Sequence, residues 1–226
     1  MPLPKKTPAR RKIPLTPHDS PRSEFDSAWK DLLMAHLPEF LQVYFPRLHA
    51  AIDWRQAPEW KNQELDELKL EPTARTKNII DLLVKVRLRN GCEQIIYLHL
   101  EVQSQPMADF ARRTFHCFHG ISLATGMDVV SAAILADLQP GWKPDTYEYR
   151  RLGCEIVFRF PVCKLLEKLP EWEGQQSLPV LAARAQIAAL KHRGQPQELL
   201  KVRIGFIRDL RAQTKLETIY HREHRK

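Results

Sequence analysis

Apolar residues recur at helical spacing from Phe25 to Leu48. Phe25, Trp29, Leu32, Leu33 and Leu37 form one stripe, and Phe40, Leu41, Tyr44, Phe45 and Leu48 resume it beyond Pro38. Ser23 or Asp26 supplies a cap for this helix. A polar, irregular stretch with Pro58 and Pro72 runs from Asp53 to Thr76. Two Ile/Leu/Val-rich runs then flank Asn90-Gly91 between Lys77 and Gln103, which predicts a β-hairpin. Downstream, the pattern predicts a helix over Asp109–Thr125 stopped by Gly126 and a buried strand over Val129–Leu135. Asp137–Thr146, with Pro140, Gly141 and Pro144, reads as a loop, and Cys154–Phe160 as a strand closed by Pro161. Val162–Leu169 reads as short and helical, followed by helices over Leu181–His192 and Leu199–Arg211.

Alternation along a strand divides the hairpin into two faces. Ile96, Leu98, Leu100 and Val102 share one face of the second run, and His99, Glu101 and Gln103 share the other. In the first run Asp81 sits among apolar neighbours, with Leu82, Val84 and Val86 facing away from it. An acid there is costly to bury unless a positive charge or a proton compensates it. The turn decides what Asp81 meets. A two-residue turn would pair Arg89 with Cys92 and set Asp81 against Leu100. A three-residue loop pairs Arg89 with Glu93 and sets Asp81 against Glu101. The second is the expected register, because a one-residue slip moves every side chain to the wrong face. It brings the two carboxylates to about 5 Å at Cβ, a spacing suited to one shared divalent cation.

An Asp on one strand and Glu-x-Gln on the next, in a hairpin beside a helix, resembles the PD-(D/E)XK nuclease superfamily. The nearer likeness is to its recombination-promoting nuclease and transposase-like branch. F-D-S-A-W-K-D-L-L from Phe25, I-I-D-L-L-V-K-V from Ile79 and Y-L-H-L-E-V-Q from Tyr97 carry the resemblance. D-F-A-R-R from Asp109 and G-C-E-I-V-F-R-F-P-V-C-K-L-L from Gly153 continue it. The resemblance implies an α/β fold with a restriction-endonuclease-like core over residues 23–170, a mixed central sheet flanked by helices. Residues 171–226 are then a helical, basic C-terminal extension. It further implies a metal-dependent DNA endonuclease of the bacterial cytoplasm, linked to recombination or mobile elements. Asp81 and Glu101 would hold Mg²⁺, or Mn²⁺ in its place, and Glu64 best matches a further acid that some relatives add. The plainer reading of Glu64 is a solvated charge. Gln103 stands where the superfamily has Lys; its amide can hold a water but adds no charge. Lys85 and Lys77 are distant substitutes. A homodimer would let one site per chain cut both strands.

Charge sharpens the choice of partner. The 226-residue chain carries net +8, unevenly spread. Residues 1–24 hold six Lys/Arg against two acids, and residues 184–226 hold eleven against four. The remainder is net acidic, with 18 against 21. Basic ends favour polyanions such as DNA; the plainer reading of residues 1–22 is a disordered, solvated tail. No stretch has the length of a membrane span, and Cys92, Cys117, Cys154 and Cys163 lack metal spacing, which predicts reduced thiols. On the helix after the hairpin, Arg112, His116 and His119 make a row that could meet phosphates, though an exposed face is the plainer reading. A catalytically weak or inactive nucleic-acid-binding remnant is the second functional reading. An RNA nuclease would use the same site.

Overall fold

The computed structural model describes residues 29–63, 79–89 and 94–223, without the side chains of 79–81 and 213–223. The basic N-terminal tail, Glu64, Lys77 and the tip of the hairpin at Asn90–Glu93 lie outside the described residues.

Residues 29–35 are helical, and the chain bends at His36 before α1 (Leu37–Tyr44) and α2 (Pro46–Ala51). Pro38 and Pro46 each fall in the first turn of their helix, where a missing N–H breaks no intrahelical bond. The expected interruption is therefore a restart of the helix, which keeps the apolar stripe facing inward. Trp29, Leu33, Leu37, Phe40, Leu41 and Tyr44 are all buried.

Five strands form the main sheet in the order β1-β2-β3-β4-β7. They are β1 (Glu59–Trp60), β2 (Ile79–Arg87), β3 (Ile95–Gln103), β4 (Val129–Leu135) and β7 (Val162–Lys164). β1, β2 and β3 are antiparallel neighbours, whereas β3, β4 and β7 run parallel. A parallel step needs a crossover, and α3 (Phe110–Thr125) provides it between β3 and β4. Gly126 ends α3 at φ 66°, its N–H bonded to the Ser122 carbonyl, so the predicted glycine stop is a left-handed cap.

The sheet is covered on both sides. Leu82, Val84, Val86, Ile96, Leu98, Leu100 and Val102 pack with the N-terminal helices and with α5 (Leu178–Lys191). Trp29 Nε1 donates to Gln186 Oε1 at 3.0 Å, and the Tyr44 hydroxyl donates to the Pro179 carbonyl at 2.6 Å. These bonds tie the start of the described chain to α5. Phe206 on α6 (Pro196–Glu223) packs against the same core. α3 covers the opposite face, where Phe110 meets Ala133, Leu135 and Phe160. The architecture is a mixed α/β sandwich of helices around a central mixed sheet. Among the described residues no helix is long and apolar enough to cross a membrane.

Three features depart from the predicted elements. Residues 162–164, expected as helical, are strand β7, because they extend the parallel edge beside β4; only α4 (Leu165–Lys168) is helical there. β5 (Thr146–Arg151) has no predicted counterpart and pairs with β6 (Cys154–Arg159) as a separate two-stranded ribbon. The last helix runs on past Arg211 to Glu223.

Candidate active site

The β2–β3 register is the one that sets the acids opposite each other: Asp81 pairs with Glu101, and Ile79 with Gln103. The Leu88 N–H, 2.8 Å from the Gln94 carbonyl, continues that register toward the turn. Asp81's backbone is thus placed as expected, while its side chain is outside the described residues.

His99, Glu101 and Gln103 point to the α3 side of the sheet and are 0%, 0% and 1% exposed. The polar row is buried as deeply as the apolar one, so each group needs a partner. His99 Nδ1 lies 3.2 Å from Ser131 Oγ on β4. Thr114 Oγ1 donates to Glu101 Oε2 at 2.9 Å. Arg113 Nη2 forms an ion pair with Glu101 Oε1. The Arg113 guanidinium also lies 6.0 Å from the centroid of the Phe110 ring. Gln103 Nε2 donates to the Gln105 carbonyl at 2.5 Å, while its buried Oε1 has no hydrogen-bond partner among the described residues.

A second buried pair lies on the same face, two strands away. Gln103 pairs with Leu135, and Leu135 with Lys164. Lys164 Nζ donates to Asp137 Oδ2 at 2.5 Å, with both side chains 1% exposed, and lies 5.3 Å from the Trp142 ring centroid. Two strand spacings, about 9–10 Å, separate Lys164 from Gln103, so Lys164 does not supply a positive charge at the position of Gln103. Lys85 is also committed elsewhere, 3.5 Å from Glu59.

Arg113, Asp137 and Lys164 are the residues that sequence reasoning missed. Arg113 carried a usable signal. It falls three residues after Phe110 and four before Cys117, on the buried stripe of α3. A charge on such a stripe requires an opposite charge. The expected exposed row behaves as expected: Arg112, His116 and His119 all face outward, whereas Cys117 faces the core.

The donor chemistry bears on whether a cation fits. Two carboxylates across one ladder and an unpartnered amide oxygen are hard donors of the kind Mg²⁺ takes. Among the described residues no three His, Cys, Asp or Glu side chains converge on a cation-sized space. Any such site would draw on Asp81, whose side chain lies outside the described residues. An ion shared by Asp81 and Glu101 would also share Glu101 with the Arg113 guanidinium. No family model, curated protein or solved structure matches this chain, so what the site can do rests on its own geometry.

Proposed function

We propose that the protein is a metal-dependent nuclease acting on DNA, with a restriction-endonuclease-like core. The observation that carries this reading is the Asp81–Glu101 register, with Gln103 following Glu101 on the same buried face. The sheet order also supports it, an antiparallel hairpin joined through α3 to a parallel strand. Asp81 and Glu101 hold Mg²⁺ or Mn²⁺, and Glu64 remains a candidate for a further acid. The ion, when bound, supplies Lewis-acid chemistry to the scissile phosphate. The protein's own groups do the rest. Gln103 Oε1 accepts from the attacking water, and its Nε2, anchored on the Gln105 carbonyl, fixes the amide orientation. Arg113 neutralises the excess negative charge beside Glu101.

A second reading has its own observation. Both Glu101 oxygens already have protein partners, Arg113 and Thr114, and among the described residues no lysine stands in for Gln103. A protein that keeps the fold and binds nucleic acid without cutting it fits that arrangement. Incubation of supercoiled plasmid with Mg²⁺ or Mn²⁺ separates the two. The nuclease reading expects nicked or linear product from the wild type and none from Asp81→Asn or Glu101→Gln, with folding checked by circular dichroism. Intact plasmid with salt-sensitive retention on DNA selects the binder.

A further inference from the structure

The β5–β6 ribbon has no place in the site just described. Its root is fixed: Tyr147 stacks on Phe115 of α3 with centroids 5.0 Å apart, and Phe158 lies 4.8 Å from Phe118. Its outer half stands clear, with every residue from 149 to 155 exposed. Arg151 pairs with Cys154, so the turn is the two residues Leu152-Gly153. Both have positive φ, 48° and 85°, as the hairpin turn that matches strand twist requires. Asn, Asp or Gly suits the first of these positions. A leucine there pushes its Cβ against the backbone, and at 106% relative exposure Leu152 buries nothing in return. Strain without a packing gain points to a role outside the fold.

We propose that this ribbon enters a groove of duplex DNA, with Leu152 as an apolar wedge between base steps and Arg150 and Arg151 on the flanking phosphates. A two-stranded ribbon has the width of a groove, and leucine is among the residues that unstack base steps. Arg150 and Arg151 beside the apolar tip, on a ribbon that holds three Arg against two Glu over residues 146–159, favour a polyanion over an apolar protein surface. Arg150 is held in position by Glu155 at 2.9 Å. The choice of DNA among polyanions rests on the nuclease reading.

The test is binding of a short duplex containing 2-aminopurine, followed by anisotropy and base fluorescence in EDTA, where no cleavage occurs. Leu152→Asn places a preferred residue in the turn, so it should melt no lower than wild type. It should nevertheless bind about tenfold more weakly and lose the fluorescence rise of the unstacked base. Arg150→Ala with Arg151→Ala should lower the slope of log K against log salt by about two. Unchanged binding and fluorescence in Leu152→Asn overturn the proposal, as does a wild type that ignores duplex DNA. A variant that shifts from dimer to monomer with its DNA binding intact overturns it too, by making the tip a self-association surface. Plasmid cleavage is read separately: a wedge that works in a protein that never cuts refutes the nuclease reading alone.

Discussion

Glu101 on β3 and Arg113 on α3 form an ion pair between sheet and helix, with side chains 0% and 10% exposed. The pair sits where the carboxylate would otherwise be a lone charge in the core, and Thr114 completes the acid's second oxygen. Removing one partner is expected to be far worse than removing both, because the survivor keeps its desolvation penalty. Arg113→Met should lower stability by about 3–5 kcal/mol in urea denaturation. Glu101→Gln combined with Arg113→Met should recover part of that loss. A double variant less stable than Arg113→Met would show that the pair is not what matters there.

The same pair gives a test of cation binding that does not depend on turnover. If Asp81 and Glu101 hold a divalent ion, Mg²⁺ supplies positive charge that Arg113→Met lacks. Saturating Mg²⁺ should then raise the melting temperature of Arg113→Met more than that of wild type, and EDTA should reverse it. At a hundredfold excess over Kd the linkage gain is about 2.7 kcal/mol. Asp81→Asn should abolish the rise in either background. Melting curves that ignore Mg²⁺ and Mn²⁺ in all of these proteins exclude an ion at this site.

The features that were legible in the sequence share a cause: each is written in a local period. Alternation through Y-L-H-L-E-V-Q separated the two faces of β3, and demanding that both strands obey it selected the Asp81–Glu101 register that is found. The strand Val129–Leu135 and the stop at Gly126 are equally local. What was not legible depends on long-range partners. β5 reads T-Y-E-Y-R-R, too polar to announce a strand, and it is one because β6 lies beside it. β7 has three residues, shorter than any period can register, and its strand character comes from the β4 edge. That Glu101 would meet Arg113 depended on the rotation of α3 over the sheet. The stripe through Phe110 and Cys117 hinted at that rotation without naming the acid.

The cysteines should differ sharply in reactivity. Burial pushes the Cys163 thiol up to about 12, outweighing the nearby Lys168 and Lys143 charges that act the other way. Two pH units below that value only about one per cent is thiolate, and the side chain is enclosed as well. Cys154 is exposed on the ribbon, and Cys117 is on the buried face of α3. Alkylation with iodoacetamide followed by peptide mass mapping should mark Cys154 in the native protein. Cys163 and Cys117 should be marked only after denaturation. Native labelling of Cys163 at pH about 10 would contradict its enclosure in the core.

Lys164, at the end of β7, and Asp137, two residues beyond β4, make the second buried pair, and here the two halves of the interaction can be separated. Asp137 has a further duty, since its Oδ1 accepts from the Gln139 N–H at 2.8 Å. Lys164→Met removes the cation and leaves a carboxylate 1% exposed, which should cost about 3–5 kcal/mol. Asp137→Asn in that background removes the stranded charge while preserving an acceptor for Gln139. The double variant should therefore be more stable than Lys164→Met alone, despite carrying one more substitution. The reverse order in urea midpoints would mean that packing of the lysine stem beside Trp142, at 5.3 Å from Nζ, outweighs the charge in fixing this edge of the sheet.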